Sequence, residues 1–279
     1  MIWIVGIVVL IAIGYWFDRE IYFYEGVHFG PRVQAWLYDR WSQKYDVGKR
    51  ESQLRDAEML ARPLLELVKD VPEPFVLDFA TGTGRLSYVL LSQEDFKGRI
   101  VALDLSQGML EHAAKKLGPE NLTHPSARVE LLCHIALPLP FANETFDIVC
   151  ALEVLELFPI MDEPLTELTR VLRAGGILLT SRGTEESGRK AKVKSKPVFT
   201  ALLERHDLKD IQITQWWKLF DRVFARKNGV LNPSGARTLS AVLRCGACGQ
   251  VKWKKEAESL TCQNCGKKLS ITKEGIVLN

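Results

Sequence analysis

Residues 75–84 read FVLDFATGTG, and this stretch limits the fold more than any other part of the chain. Five largely apolar residues, bounded upstream by Pro72 and Pro74, predict a short buried strand. The turn Ala80-Thr81-Gly82-Thr83-Gly84 follows at once, and residues 85–92 predict a helix. A second strand is expected over 99–104, ending in Asp104. A second helix is expected over 106–116, with Met109, Leu110 and Ala113 on one face. The alternation continues with strands at 128–133, 146–152 and 175–181 and helices at 164–172 and 197–206. A closing pair of strands follows at 210–214 and 220–226. Repeated strand–helix alternation builds a parallel sheet covered on both faces, so the expected class is α/β and Rossmann-like. The chain holds no internal repeat.

In such sheets a ligand sits beyond the carboxyl ends of the strands, at the point where the strand order reverses. The glycine turn lies there. Gly82 and Gly84 let a ligand approach the backbone, and the helix that follows offers its free N–H groups. Asp104 can accept a pair of hydrogen bonds from a ribose diol. The G-x-G-x-x-G pattern of NAD sites is not met, because its third glycine position is Ser87.

Four ordered segments carry a family resemblance. VLDFATGTGR (76–85) resembles motif I of class I S-adenosylmethionine-dependent methyltransferases, and ALDLS (102–106) is similar to the acid segment that follows it. LPFANETFDIV (139–149) and LTRVLRAGGIL (168–178) look like the stretch around strand four and the helix–turn–strand beyond. The resemblance spans about residues 33–228 and points to the branch containing ubiquinone and menaquinone biosynthesis methyltransferases. It implies a seven-stranded sheet and S-adenosylmethionine as cofactor. Asp78 would orient the loop and reach the methionine ammonium through its shell. Ala80, Gly82 and Gly84 would line the methionine end, Asp104 would bind the ribose hydroxyls, and Leu105 and Met109 would pack the adenine. One position departs from the branch. The acid usually present for adenine N6 is Ile135 here, beside His134, so adenine recognition would fall to backbone groups or His134.

Methyl transfer from a sulfonium is an in-line displacement in which the protein mainly aligns the reactants. A general base is needed only where the acceptor must lose a proton. Glu153 and Glu156, after strand four, are the candidates; the alternative for both is a solvated helix start. ALEVLELFP (151–159) lacks the [DNS]-P-P-[YFW] segment that serves base amines and amide nitrogens in related families. Neither Cys133 nor Cys150 follows a proline, as pyrimidine C5 methylation would need, and both read as buried thiols. O-, C- or S-methylation of a small or lipid-like acceptor is left. WLYDRWSQKY (36–45) resembles the lead helix that covers the cofactor, with Tyr38 and Tyr45 as lid or as core. His28, His112 and His124 read as surface or loop residues. After strand five, Arg182, Arg189, Lys190, Lys192, Lys194 and Lys196 outweigh Glu185 and Glu186. This stretch is either a solvated loop or a contact for lipid headgroups or RNA phosphate.

Both ends differ from the middle. Residues 2–17 are apolar and uncharged, about 24 Å as a helix at about 1.5 Å per residue. No basic start or small-residue cleavage site marks a signal peptide. A buried core helix is the plainer alternative. The expectation is a single membrane anchor over residues 1–17 with the catalytic domain facing the cytoplasm. At the other end, Cys245-Gly-Ala-Cys248-Gly and Cys262-Gln-Asn-Cys265-Gly form two C-x-x-C-G pairs. Four thiolates so spaced suit a tetrahedral Zn²⁺ site, against two disulfides or an iron site. A piece this small needs the metal to fold.

LRCGAC, LTCQNCG and ITKEGI resemble the small zinc-ribbon family whose members partner and activate tRNA and protein methyltransferases. This keeps an RNA or protein methyltransferase, gripping its substrate or partner through the ribbon, as a rival reading. Trp253 is the tail's one aromatic, thin support for base stacking. A non-enzymatic cofactor-binding scaffold is the third reading. The expected division is anchor 1–17, methyltransferase domain 18–228, linker 229–243 and zinc ribbon 244–279. The overall charge is only +3, yet from Arg244 onward seven Lys/Arg face three acids, so an anionic partner is excluded only for the whole surface.

Overall fold

The computed structural model describes residues 2–122, 129–135, 137–187, 193–233 and 235–279. Helix α1 (Ile2–Asp18) runs into a π-helical turn, Arg19–Phe23, and is followed by α2 (Pro31–Gln53) and α3 (Arg62–Leu67). Strands and helices then alternate as β1 (Phe75–Phe79), α4 (Arg85–Leu91), β2 (Arg99–Asp104), α5 (Gln107–Lys116), β3 (Val129–Cys133) and β4 (Phe146–Ala151). Next come α6 (Asp162–Val171), β5 (Leu172–Gly183), α7 (Lys196–Arg205), β6 (Leu208–Trp217) and β7 (Phe220–Lys227). Four short strands close the chain: β8 (Trp253–Lys255), β9 (Ser259–Cys262), β10 (Lys268–Ile271) and β11 (Ile276–Leu278).

All the strands join one sheet, in the order β6-β7-β5-β4-β1-β2-β3-β11-β10-β9-β8. β1 lies between β2 and β4, parallel to both, and all five of its residues are buried, as a strand covered on both faces requires. Side chains alternate between two apolar layers. Leu77, Val101 and Val149 pack with Leu165 and Leu168 of α6 and Phe199 and Leu202 of α7. Val76, Ile100 and Ile148 pack with Leu64 of α3, Leu90 of α4 and Leu110 of α5. The order reverses between β1 and β4, which places the ligand crevice at the carboxyl end of β1.

The expected seven strands are present, and the sheet goes beyond them: the cysteine-bearing tail adds four more. β11 lies parallel to β3, pairing Ile276 with Leu131, Val277 with Leu132 and Leu278 with Cys133. Leu260, Leu269 and Val277 share a core with Leu132 and Phe141, and Trp253 Nε1 donates to the Leu243 carbonyl at 2.7 Å. The Ala174-Gly175-Gly176 turn expected before strand five lies inside β5, opposite a register shift between Phe146 and Ile148. Gly175 has φ +73°, and a Cβ there would stand 2.2 Å from Leu231 N, so only glycine closes this bulge.

The membrane-anchor expectation is overturned. Among the described residues no helix is long and apolar enough to cross a membrane. α1 has 17 residues, about 25 Å against a hydrocarbon core of about 30 Å, and it meets Asp18, Arg19 and Glu20 immediately. The cytoplasm-facing orientation argued from that anchor falls with it. Nor is α1 a buried core helix, since Trp3, Ile4, Leu10 and Tyr15 are exposed. The basic stretch after β5 also reads differently. Arg182 is buried in an ion pair with Asp221 at 2.6 Å and donates to the Lys194 carbonyl, so its charge does not face an outside partner. Arg189, Lys190 and Lys192, like His124, lie outside the described residues.

Candidate active site

Asp78, the last residue but one of β1, is a buried acid beneath the glycine turn. Its Oδ2 accepts from Thr81 Oγ1 at 2.6 Å and from Ser87 Oγ at 2.7 Å, which ties the turn to the first residues of α4. Burial pushes its carboxyl above the usual range, and the Thr81 and Ser87 hydrogen bonds partly offset that. The turn takes three left-handed residues in a row of five: Ala80 at φ +54°, Gly82 at +57° and Gly84 at +78°. Ala80 is a non-glycine residue in this region, a small strain of the kind found at ligand sites. The two glycines serve different needs. A Cβ on Gly84 would lie 3.1 Å from Leu117 and 3.2 Å from Ala113, so Gly84 lets α4 pack on the chain around α5. Among the described residues, a Cβ on Gly82 would meet only Tyr45 Cε1, at 4.0 Å, across open cleft.

Asp104, at the end of β2, is 6% exposed. Its Oδ2 accepts from Gly82 N at 2.8 Å and its Oδ1 from Ser106 N at 2.9 Å. Burial raises its carboxyl to about 6, against the opposing pull of those backbone donors. A cleft of about 770 Å³ opens over this acid. Ala80, Gly82, Asp104, Leu105, Met109, His134, Ile135 and Glu153 all line it, with Tyr38 and Tyr45 opposite. Three candidate residues stand outside it: Asp78, which lines a smaller pocket with Ala80, Gly82, Tyr45 and Glu153, Gly84 against α5, and Glu156.

Glu156 is buried and accepts from Gly183 N at 2.7 Å, which fastens the end of β5 to the segment after β4. Burial raises its carboxyl. Glu153 has φ +55° and sits at the cleft, with its N–H donated to Ser181 Oγ at 2.7 Å. Its carboxylate is shared by two cations, Arg85 Nη1 at 2.9 Å and Lys49 Nζ. Arg85 is itself a hub. It pairs with Asp56 at 2.5 Å, donates to the Ser52 carbonyl, and lies 4.4 Å from the centre of the Trp216 ring.

These contacts show how α2 covers the site. Asp39 Oδ1 accepts from Ser106 Oγ at 2.6 Å and from Gly108 N at 2.8 Å, at the start of α5. One turn pair further, Asp46 meets Lys116 at 2.6 Å and Thr83 Oγ1 at 2.5 Å. Lys49 then reaches Glu153. Tyr38 and Tyr45 face inward between these latches, and burial pushes both hydroxyls well above their usual range, leaving neutral donors. Tyr38 donates to Glu25. Sequence reasoning found the two tyrosines but missed Asp39, Asp46, Lys49 and Arg85. Asp39 and Asp46 share the seven-residue spacing of Tyr38 and Tyr45, a signal that one helix face holds both pairs.

A second cavity, of about 890 Å³, adjoins the first. Tyr38, Tyr45 and Glu153 line both. Its other walls combine Tyr22 and Trp41, whose rings stack at 6.5 Å, and Trp217 and Phe220, whose rings lie 5.7 Å apart, with the charged Glu25 and Lys49. In the tail, the Sγ atoms of Cys245, Cys248, Cys262 and Cys265 all lie within 4.8 Å of one another. His28 pairs with Glu20 at 2.7 Å, outside both cavities.

A family model described as a methyltransferase domain matches residues 77–180. A demethylmenaquinone methyltransferase of Lactobacillus johnsonii is 31% identical over 173 residues, covering 60% of this chain and 70% of that protein. One from Thermobifida fusca is 32% identical over 152 residues, 53% of this chain and 60% of that one. The fold is similar to a crystal structure of a putative S-adenosylmethionine-dependent methyltransferase from Methanococcus maripaludis. The TM-score is 0.54 at 16% identity, over 69% of this chain and 94% of that one. The chain belongs to the S-adenosylmethionine-dependent methyltransferase family. It is an enzyme of that class, so the scaffold reading gives way.

Proposed function

We propose that this methyltransferase acts on a small, ring-bearing acceptor of lipid-like character, seated in the aromatic cavity beside the cofactor cleft. The observation that carries this reading is the shared wall: Tyr38, Tyr45 and Glu153 face both spaces, so a ligand in one abuts a ligand in the other. Tyr22, Trp41, Trp217 and Phe220 offer the flat apolar surfaces on which a ring stacks. The names of the relatives, demethylmenaquinone methyltransferases, make a quinone-type acceptor the first to test.

The residues present fit S-adenosylmethionine. The Cβ-free face of Gly82 opens on the cleft, a buried carboxylate lies beside it, and an apolar end follows. Asp104 would hold the ribose hydroxyls; Leu105, Met109, His134 and Ile135 would surround the adenine. Ala80 and Gly82 would line the methionine end, with Asp78 holding the turn through Thr81 and Ser87 and Gly84 seating α4. The bound cofactor supplies an electrophilic methyl group. The chain aligns the acceptor with it and excludes water by closing α2, whose latches at Asp39, Asp46 and Lys49 hold the lid down. Glu153 is the acid placed to take a proton from an acceptor hydroxyl, with Lys49 and Arg85 beside it. Glu156, turned to Gly183, holds β5 in place.

The cysteine cluster suits zinc. Sγ–Sγ separations of 3.6 Å (Cys245–Cys265) and 3.7 Å (Cys248–Cys262) match the edges of about 3.8 Å of a tetrahedron with metal–sulfur bonds of about 2.3 Å. Zinc there would fold a tail that continues the sheet, which supports a structural role over a grip on RNA or a protein. To test the acceptor class, the full chain is incubated with methyl-labelled S-adenosylmethionine and either 1,4-naphthohydroquinone or bulk tRNA. Label in the organic phase is the expected result, with Trp217→Ala raising the KM for the naphthohydroquinone about tenfold at unchanged cofactor affinity. Label in RNA alone would overturn the reading.

A further inference from the structure

The tail's last strand ends against the cofactor cleft. Leu278 of β11 lies opposite Cys133 of β3, and Cys133 lies opposite Asp104 of β2. The next residue, Asn279, donates its N–H to the Cys133 carbonyl at 3.0 Å and brings its Nδ2 to 3.1 Å from His134 Nδ1. His134 N in turn donates to the Asp104 carbonyl at 2.9 Å, and His134 Nε2 lies 3.4 Å from the Pro138 carbonyl. A side-chain amide nitrogen only donates and a carbonyl only accepts. Nδ1 therefore accepts and Nε2 carries the proton: the two contacts select one neutral tautomer and fix the plane of the ring. That ring lines the cleft beside Leu105, Met109 and Ile135.

We infer that Asn279 is a positioning residue for cofactor binding, holding His134 as a flat neutral wall at the purine end of the cleft. This rests on the assignment of the cleft to S-adenosylmethionine. Both ring nitrogens are engaged within the protein, so His134 meets the purine through its ring and supplies stacking where Ile135 offers no polar side chain. The cysteine cluster and the cofactor are thereby joined by strand register. β9 carries Cys262 and holds β10, β10 holds β11, and β11 sets Asn279 on His134.

The test is a double-mutant cycle on S-adenosylhomocysteine binding to the full chain, followed by calorimetry, with ¹⁵N spectra of labelled histidine. Asn279→Ala weakens binding about fivefold, His134→Ala weakens it comparably, and the double variant binds no worse than His134→Ala. The wild-type spectrum shows His134 protonated at Nε2. A purely structural loss in the tail would instead weaken binding by the same factor in both backgrounds, and that result overturns the inference, as does wild-type affinity in Asn279→Ala or a proton on Nδ1. Wild-type protein that fails to bind S-adenosylhomocysteine at all removes the cofactor reading and the inference together. Binding with an additive cycle removes the inference alone.

Discussion

Alanine at Gly82 and alanine at Gly84 perturb the same turn, yet the structure separates their effects. Both residues are left-handed, at φ +57° and +78°, so each substitution costs about 1–2 kcal/mol of backbone strain. At Gly84 the new Cβ also presses on Leu117 Cδ1 and Ala113 Cβ at 3.1 and 3.2 Å, adding about 1 kcal/mol of overpacking. Gly84→Ala should therefore lose about 2–3 kcal/mol of stability, which a domain of ordinary stability survives. At Gly82 nothing but Tyr45, among the described residues, lies within reach of the Cβ, so stability falls only by the strain. That Cβ instead occupies the face of the turn on which the ligand lies. Urea unfolding and calorimetric titration with S-adenosylhomocysteine are the paired assays. Gly82→Ala should weaken binding at least about tenfold at a stability loss of about 1–2 kcal/mol. Gly84→Ala should be the less stable protein and bind within about threefold of wild type while folded. The reverse pattern, tight binding by Gly82→Ala and weak binding by folded Gly84→Ala, would refute the assignment of the two glycines.

Asp104, with its carboxyl raised to about 6, must be ionised to accept from both ribose hydroxyls; S-adenosylhomocysteine affinity should rise with pH up to about 6 and then level off, while Asp104→Asn binds weakly at every pH. In the free protein the same raised acid makes the native state bind more protons than the unfolded one between about pH 4 and 6, so its contribution to stability declines as pH rises through that window, which unfolding curves across it would show. Glu153→Gln should lower turnover about tenfold or more, whereas Glu156→Gln, which keeps an acceptor for Gly183 N, should leave it within about twofold; equal losses would remove Glu153 from its special place. Metal analysis of the purified chain should find one zinc, and chelation or Cys262→Ser should lower the unfolding midpoint of the whole molecule rather than of the tail alone, because Leu260, Leu269 and Val277 belong to the main core.

The centre of the fold was legible because its signals are local. β1, the glycine turn and β2 follow from apolar runs and turn chemistry, and Asp104 falls at a strand end by simple counting. What the sequence hides is long-range. Lys49 meets Glu153 across 104 positions, and Trp216 Nε1 donates to Asp56 across 160; neither pair has a local pattern to mark it. β11 is three residues long, too short for periodicity to announce its pairing with β3. The charge-free N-terminus misled for the opposite reason. Its charge-free composition is emphatic and outweighed a length already legible, about 24 Å for residues 2–17 at about 1.5 Å per residue; the 17 residues of α1 fall short of a bilayer.

The eleven-stranded sheet has a consequence for the protein in concentrated solution. With β3 outermost, the sheet would end in a five-residue strand, apolar but for Glu130, whose free N–H and C=O groups invite a strand from another molecule. The tail moves that border to β8, three residues long, where the exposed Lys254 and Lys255 pair with Glu256 at 3.1 Å and Glu130 at 3.9 Å. A border this short, covered by charged side chains, is a poor template for a strand from another copy. Besides anything it does for the cofactor, the tail is thus a cap against aggregation, and a chain cut before Arg244 should associate in proportion to its concentration.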